Sequence, residues 1–271
     1  MADRYPGPVA IHRKLLGAQL AAQRSYRASF ALDLVGQGLI VLLEFVEVYA
    51  VFTRVPVIGG FTLADVLVVF GLSSVGFALA DMAVGQIDRV NDLVRTGRLD
   101  LFLVRPLPVL TQIVTSDFQL RRLGRVAVGG LVLVLALGRE HLHWTVGRVA
   151  LLAVTPVSSA VVFGAVFVGV NAGTFWMLDG REFANAFTYG GSYVSQWPFS
   201  IFGTAIGRFF TFVVPAAFTA YLPALALLGR SDPTGLPGWL AWSGPLVAVW
   251  TAGVASLLWR TGVRHYVGAG N

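Results

Sequence analysis

Long apolar runs separated by short polar breaks dominate this chain. One runs from about Phe30 to Phe52 and stops at Arg54 and Pro56, and a second covers about Thr62–Ile87. A third covers about Phe118–Leu137, a fourth about Val149–Met177 and a last one about Ser243–Trp259. Runs of about 20 residues with almost no charge have the length an α-helix needs to cross a bilayer. Residues 9–27 are different: Ile11, Leu15 and Leu16 alternate with Arg13, Lys14, Arg24 and Arg27, the pattern of a helix lying in the membrane interface.

The stretch 183–240 is apolar enough for two crossings but is interrupted by Pro198, Pro215 and Pro223. Charge settles the count. With a cytoplasmic N-terminus, the inside segments hold Arg4, Arg13, Lys14, Arg24, Arg27, Arg89, Arg95, Arg98 and Arg105, against Arg54, Arg139 and Arg148 in the outside loops. Keeping Arg260 and Arg264 inside leaves room for one crossing, expected at about 185–213. Residues 214–228 are then expected as a re-entrant hairpin, since irregular backbone at membrane depth must be buried by protein. The fold expected is an all-α polytopic membrane protein: one domain over residues 1–271, six transmembrane helices, an interfacial helix and a re-entrant hairpin, both termini cytoplasmic.

Composition agrees. Hydrophobic residues make up 56% of the 271 and charged residues 13%, where a soluble domain carries about 25% charged. The formal charge of +6 sits at the ends of apolar runs, where it sets orientation, so no nucleic-acid partner is expected. The absence of cysteine excludes disulfides and thiolate metal sites. The N-terminus is too long and polar before its first apolar run to read as a cleaved signal peptide.

The segment 88–106 is unusual for a connector. Asp88, Arg89, Asp92, Arg95, Arg98, Asp100 and Arg105 alternate with Leu93, Leu99, Leu101, Phe102 and Leu103, and Pro106 and Pro108 follow. Interleaved charges and large apolar side chains suit docking on a protein surface, with Arg offering planar hydrogen bonds to carboxylates. On charge alone, a solvated cytoplasmic loop fits equally well.

Here a family resemblance enters. The run R-T-G-R-L-D-L-F-L-V-R-P, Arg95–Pro106, resembles the corresponding loop of type II ABC exporter permeases, in particular the short bacterial permeases of this superfamily. Three further pieces agree in order: Phe175–Trp176, V-P-A-A-F-T-A-Y-L-P-A from Val214 to Ala224, and R-H-Y-V-G-A-G at the C-terminus. The resemblance implies a permease subunit in the bacterial plasma membrane without an ATPase of its own. ATP and Mg would be bound by a separate ABC ATPase, present in two copies, and a second permease subunit would complete a pair, a heterodimer before a homodimer. It further implies that 88–106 is the coupling segment facing the ATPase and 9–27 the connecting helix. Independently, no G-x-x-x-x-G-K-[ST] occurs, and the single lysine, Lys14, follows Arg13.

Within the first span Asp33, Gln37, Glu44 and Glu47 share a stripe: at 100° per residue Asp33 and Glu44 lie within about 20°, and Glu47 about 60° from Glu44. Carboxylates facing lipid are costly, so the stripe should face protein, a water-filled path or a cation, with Arg121, Arg122 and Arg125 as candidates for Asp33. A substrate or gating path through Asp33, Gln37, Glu44, Glu47, Arg121 and Arg125 and a structural contact between helices or subunits are both compatible with it. Asp65 falls near the outer end of the second span. Ala165, Gly169 and Gly173, four residues apart, read as a helix-packing stripe, and Gly203 and Gly207 likewise. Glu140–His143 is too sparse for a metal site, and Trp144, Trp197, Trp239 and Trp242 suit an outer aromatic belt. The rival readings are a proton-coupled secondary transporter using Asp33, Glu44 and Glu47, for which no inverted repeat is visible, and a membrane enzyme, for which no catalytic constellation is present.

Overall fold

A computed structural model describes residues 17, 27–116, 119–140, 142–177 and 180–266. The expected interfacial helix 9–27 lies almost wholly outside these residues, as does the tail from Val267. The described helices are α1 Arg27–Phe52, α2 Leu63–Val84, α3 Val90–Arg95, α4 Asp100–Leu103, α5 Val109–Thr115, α6 Leu123–Arg139, α7 Val146–Ala172, α8 Arg181–Ser195, α9 Gly203–Phe212, α10 Tyr221–Leu228 and α11 Gly244–His265, joined in places by short 3-10 turns. A two-residue hairpin, β1 Val57–Ile58 with β2 Phe61–Thr62, links α1 to α2.

The long helices pack side by side in the order α1, α6, α2, α7, α11. The central α2 is buried almost throughout, while α1 and α11 leave apolar side chains such as Leu32, Leu43, Leu246 and Val249 exposed. Because α2 is apolar all round, it belongs inside, and the outer helices present apolar flanks as a bilayer requires. Close approach is set by glycines. A Cβ at Gly71 would lie 2.6 Å from Leu133 Cβ and 2.9 Å from its Cα, so α2 and α6 meet backbone to backbone. Contacts in register show that α2 and α6 run antiparallel, while α7 runs parallel to α2, Gly76 facing Ser159 and Asp88 facing Asn171.

Four helical segments are long and apolar enough to cross a membrane: Ala28–Phe52, Leu63–Arg95, Val146–Phe175 and Gly244–His265, with a fifth if α9 and the residues through α10 form one span. Helix α6 has 17 residues, about 25 Å at 1.5 Å per residue and at the short limit for a crossing. The second segment is longer than the apolar run suggests: a 3-10 turn, Gly85–Arg89, carries α2 into α3 and the helical path ends only at Arg95.

The stretch 181–230 has a particular path. Arg181 pairs with Asp92 at 3.7 Å, Tyr189 donates to Asp88, and the hydroxyls of Ser195 and Ser73 lie 2.6 Å apart, so this part of the chain climbs antiparallel along α2. By Ile201 it has reached the β-hairpin: Gly59, at φ +58, has no Cβ, and one there would come 2.8 Å from Ile201 Cγ2. After α10, Arg230 donates to the carbonyl of Gly60, next door. Between these two points the chain dips to Val213–Pro215, which lie beside Gly169 and Val254, and there α9 and α10 are bent by 73°. The break falls at Pro215. Pro223 causes none, because it sits in the first turn of α10, where backbone N–H groups have no intrahelical partner. The excursion therefore begins at α9, earlier than the 214–228 expected from the prolines.

Candidate functional site

Two polar regions stand out, one inside the helix bundle and one at its end. In the first, Asp81, late in α2 and only 3% exposed, receives Arg122 as a close ion pair and Arg125 at 3.7 Å. Arg122 also donates to the Asp81 backbone carbonyl. Gly85 makes room: a Cβ there would collide with both the Arg122 guanidinium and the Asp81 carboxylate. Of the three arginines expected near Asp33, only Arg121 reaches it, at 3.7 Å between half-exposed side chains. An exposed pair of this kind contributes little, whereas breaking a buried pair costs several kcal/mol.

The acidic stripe of α1 runs along the edge of its buried face, beside Val41 and Val48. Glu44 accepts from Gln196 Nε2 at 2.9 Å, and Glu47 accepts from the Tyr193 hydroxyl. Gln37 is half-buried and Asp33 exposed. Glu44, Ser74, Arg125, Ser192, Tyr193 and Gln196, with Val41, Phe77 and Tyr189, enclose a cavity of about 220 Å³ between α1, α2, α6 and α8. Of the expected path residues, Glu44 and Arg125 meet here. Tyr193 and Gln196 carry no signal in the sequence that ties them to the stripe.

The second region is the expected coupling segment. Asp88 does not face outward: its two carboxylate oxygens accept from Asn171 and Tyr189, both at 3.0 Å. Asp92 is exposed and pairs with Arg181, and Asp100 is half-buried near Tyr266, whose phenol is pushed above its usual range by burial and by that carboxylate. Leu99 is fully buried beneath the turn at Gly97, which takes φ +66. What remains outside is Arg89, Arg95, Arg98, Leu101, Leu103, Val104, Arg105 and Pro106, with Arg105 stacked 5.8 Å from the Phe102 ring. Gln112 pins the return of the segment by donating to the carbonyls of Phe102 and Leu107. The outward face is thus basic and apolar, its acids turned inward or paired.

Of the small-residue stripe, a Cβ at Gly169 would lie 3.6–3.9 Å from Ala255 and Leu258 of α11, Ala165 is buried, and Gly173 begins a 3-10 turn with nothing within 4 Å of its missing Cβ. Asp65 is fully buried. It accepts from Thr62 in a capping box and pairs with Arg230 at 2.9 Å. Among the described residues no three His, Cys, Asp or Glu gather as a metal site.

Apolar helices packed around a buried Asp–Arg cluster, with a basic and apolar end surface, define a polytopic membrane protein. Residues 39–270 match the model of the family described as ABC-2 family transporter protein, and the chain belongs to that family. Such a chain is the permease part of an ABC transporter, which associates with an ABC ATPase. No curated protein and no solved structure matches it.

Proposed function

We propose that the chain is one membrane-spanning half of an ATP-driven exporter in a bacterial plasma membrane, moving a hydrophobic or amphipathic substrate outward. ATP would be hydrolysed by a separate ATPase, two copies of which serve a pair of permease subunits, a heterodimer before a homodimer. The observation that carries this reading is the face formed by Arg95, Arg98, Leu101, Val104 and Arg105, set at the end of one continuous helical path, Leu63–Arg95. A docking surface on a flexible loop would absorb an applied displacement; one fused to a buried helix passes it on.

Along that path lie Asp88, bonded to α7 and α8, and Asp81, paired with Arg122 just before α6 and with Arg125 within it. A push at Arg98 therefore reaches three neighbouring helices through polar contacts in the apolar interior. Closure of the ATPases on ATP would shift α2 against α6 and α8 and open the cavity between them alternately to each side. The acids of α1 line this route, with Glu44 in the cavity wall and Glu47 held by Tyr193.

Six crossings with both ends cytoplasmic fit the observed path. Alongside the four long helices, α6 supplies one and the climb from Arg181 to Ile201 supplies another. The excursion 203–228 is a re-entrant element at the outer face, since its two ends rest on adjacent residues, Gly59 and Gly60. The charge bias supports an orientation with Arg95, Arg98, Arg260 and Arg264 inside. Affinity purification of the tagged chain from its native membrane tests the reading: an ABC ATPase in the eluate supports it, and a chain recovered alone from membranes that contain that ATPase counts against it.

A further inference from the structure

We propose that the cavity between α1, α2, α6 and α8 binds a zwitterionic head group, its anionic part held by Arg125 and Ser74 and its cationic part by Glu44. The proposal deepens the permease reading by naming what the path holds, and rests on that reading only for the occupant's purpose.

Three observations carry it. Ser74 is 4% exposed, lines the cavity, and its hydroxyl has no partner among the described residues. A buried hydroxyl left unpaired costs about 1–3 kcal/mol, and Ala or Val at this place would avoid that cost. Arg125, in the same wall, has its buried Nε unpaired and only a 3.7 Å contact to Asp81, whose carboxylate is already closed upon by Arg122. Two guanidiniums thus share one near carboxylate, and Arg125 is the one with hydrogen-bonding capacity to spare. Glu44 supplies the opposite charge in the wall, with Gln196 on one oxygen, while Ser192 and Tyr193 add hydroxyls.

Cation and carboxylate facing one space suit a ligand that carries both charges. A purely anionic head would meet Glu44, and a purely cationic one Arg125. Size narrows the class further. A space of about 220 Å³ is below the 300–1,000 Å³ usual for drug-sized molecules and matches a small head such as phosphoethanolamine. Such a head occurs both on a membrane lipid and on a free solute.

The test uses the full-length chain purified in a neutral non-ionic detergent. Binding of lyso-phosphatidylethanolamine, of glycerophosphoethanolamine and of lyso-phosphatidylglycerol is measured by native mass spectrometry and by the shift in melting temperature. The first probe is expected to bind and to outcompete the third. Ser74→Ala should leave the unliganded melting temperature unchanged or higher, yet weaken that binding about tenfold or more, the worth of one hydrogen bond to a charged group. Glu44→Gln should lower affinity for the zwitterion and raise that for the anionic lipid, so that the preference for the first probe over the third is lost. Binding of glycerophosphoethanolamine as well supports a free-solute source, and its failure beside a bound lysolipid supports a lipid one. Failure of both ethanolamine probes, or equal affinity in wild type and both variants, overturns the proposal. A chain that still copurifies with its ATPase but binds neither probe loses this inference and keeps the permease reading.

Discussion

Arg122, in the short 3-10 turn that leads into α6, closes on the carboxylate of Asp81 near the end of α2, locking together two antiparallel helices. The pair sits where Gly85 leaves room for it, and Arg125 completes the cluster. Removing the acid leaves two largely buried guanidiniums without their carboxylate. Asp81→Asn should therefore destabilise the protein by about 3 kcal/mol or more, seen as a lower melting temperature and reduced folded yield. Asp33→Asn, which breaks only the exposed contact with Arg121, should change stability by less than about 1 kcal/mol. Equal effects of the two would deny the cluster its structural role.

Glycines on α2 and α7 separate close packing from ordinary contact. Gly71→Ala puts a Cβ against the Leu133 backbone, which cannot give way, and should cost about 1–3 kcal/mol. Gly169→Ala meets Leu258 and Ala255 at 3.6–3.9 Å and should be nearly neutral. Thermal unfolding of both variants side by side checks the contrast.

Asp65 is a structural acid despite its place at a helix end. Asp65→Ala keeps the Thr62 hydroxyl on the backbone N–H of residue 65 but removes the carboxylate that accepts from the Thr62 N–H and hydroxyl and pairs with Arg230, and should lower stability by about 1–2 kcal/mol from the lost capping-box bonds alone. A double-mutant cycle with Arg230→Gln measures what the pair adds. A zero coupling energy would reduce Asp65 to its capping role.

Topology can be read with single cysteines, since the chain has none. Trp239→Cys, in an exposed stretch beyond α10, should label with an impermeant thiol reagent in intact cells, and Arg98→Cys only after the membrane is opened. Labelling of position 98 in intact cells would invert the proposed orientation.

The long helices were legible because hydropathy integrates over many residues and tolerates local error. Partnerships were not, because they depend on register between helices distant in sequence. The stripe of Glu44 and Glu47 could be drawn on one helix, but its partners Gln196 and Tyr193 lie about 150 residues away. Asp81 was within reach: α2 and α6 end and begin near each other, and an acid late in one span with arginines early in the next should meet in an antiparallel pair. The 88–106 segment shows the reverse limit. Its composition marked it as a docking surface, yet which charges face out depends on Asn171, Tyr189 and Arg181, all from later in the chain. Regular four-residue spacing points to Gly169, while the closest backbone approach on α2, at Gly71, has no periodic signature.

The most direct test of the central claim is ATP hydrolysis and transport measured on the copurified complex with the outward face of 88–106 altered. Arg98→Glu combined with Leu101→Asp changes two exposed side chains and spares the buried Leu99 and the Asp100 beside Tyr266. The account predicts a chain that inserts and folds normally but loses its ATPase on purification, or keeps it with hydrolysis no longer tied to transport. A double variant that retains the ATPase and transports at the wild-type rate would contradict it.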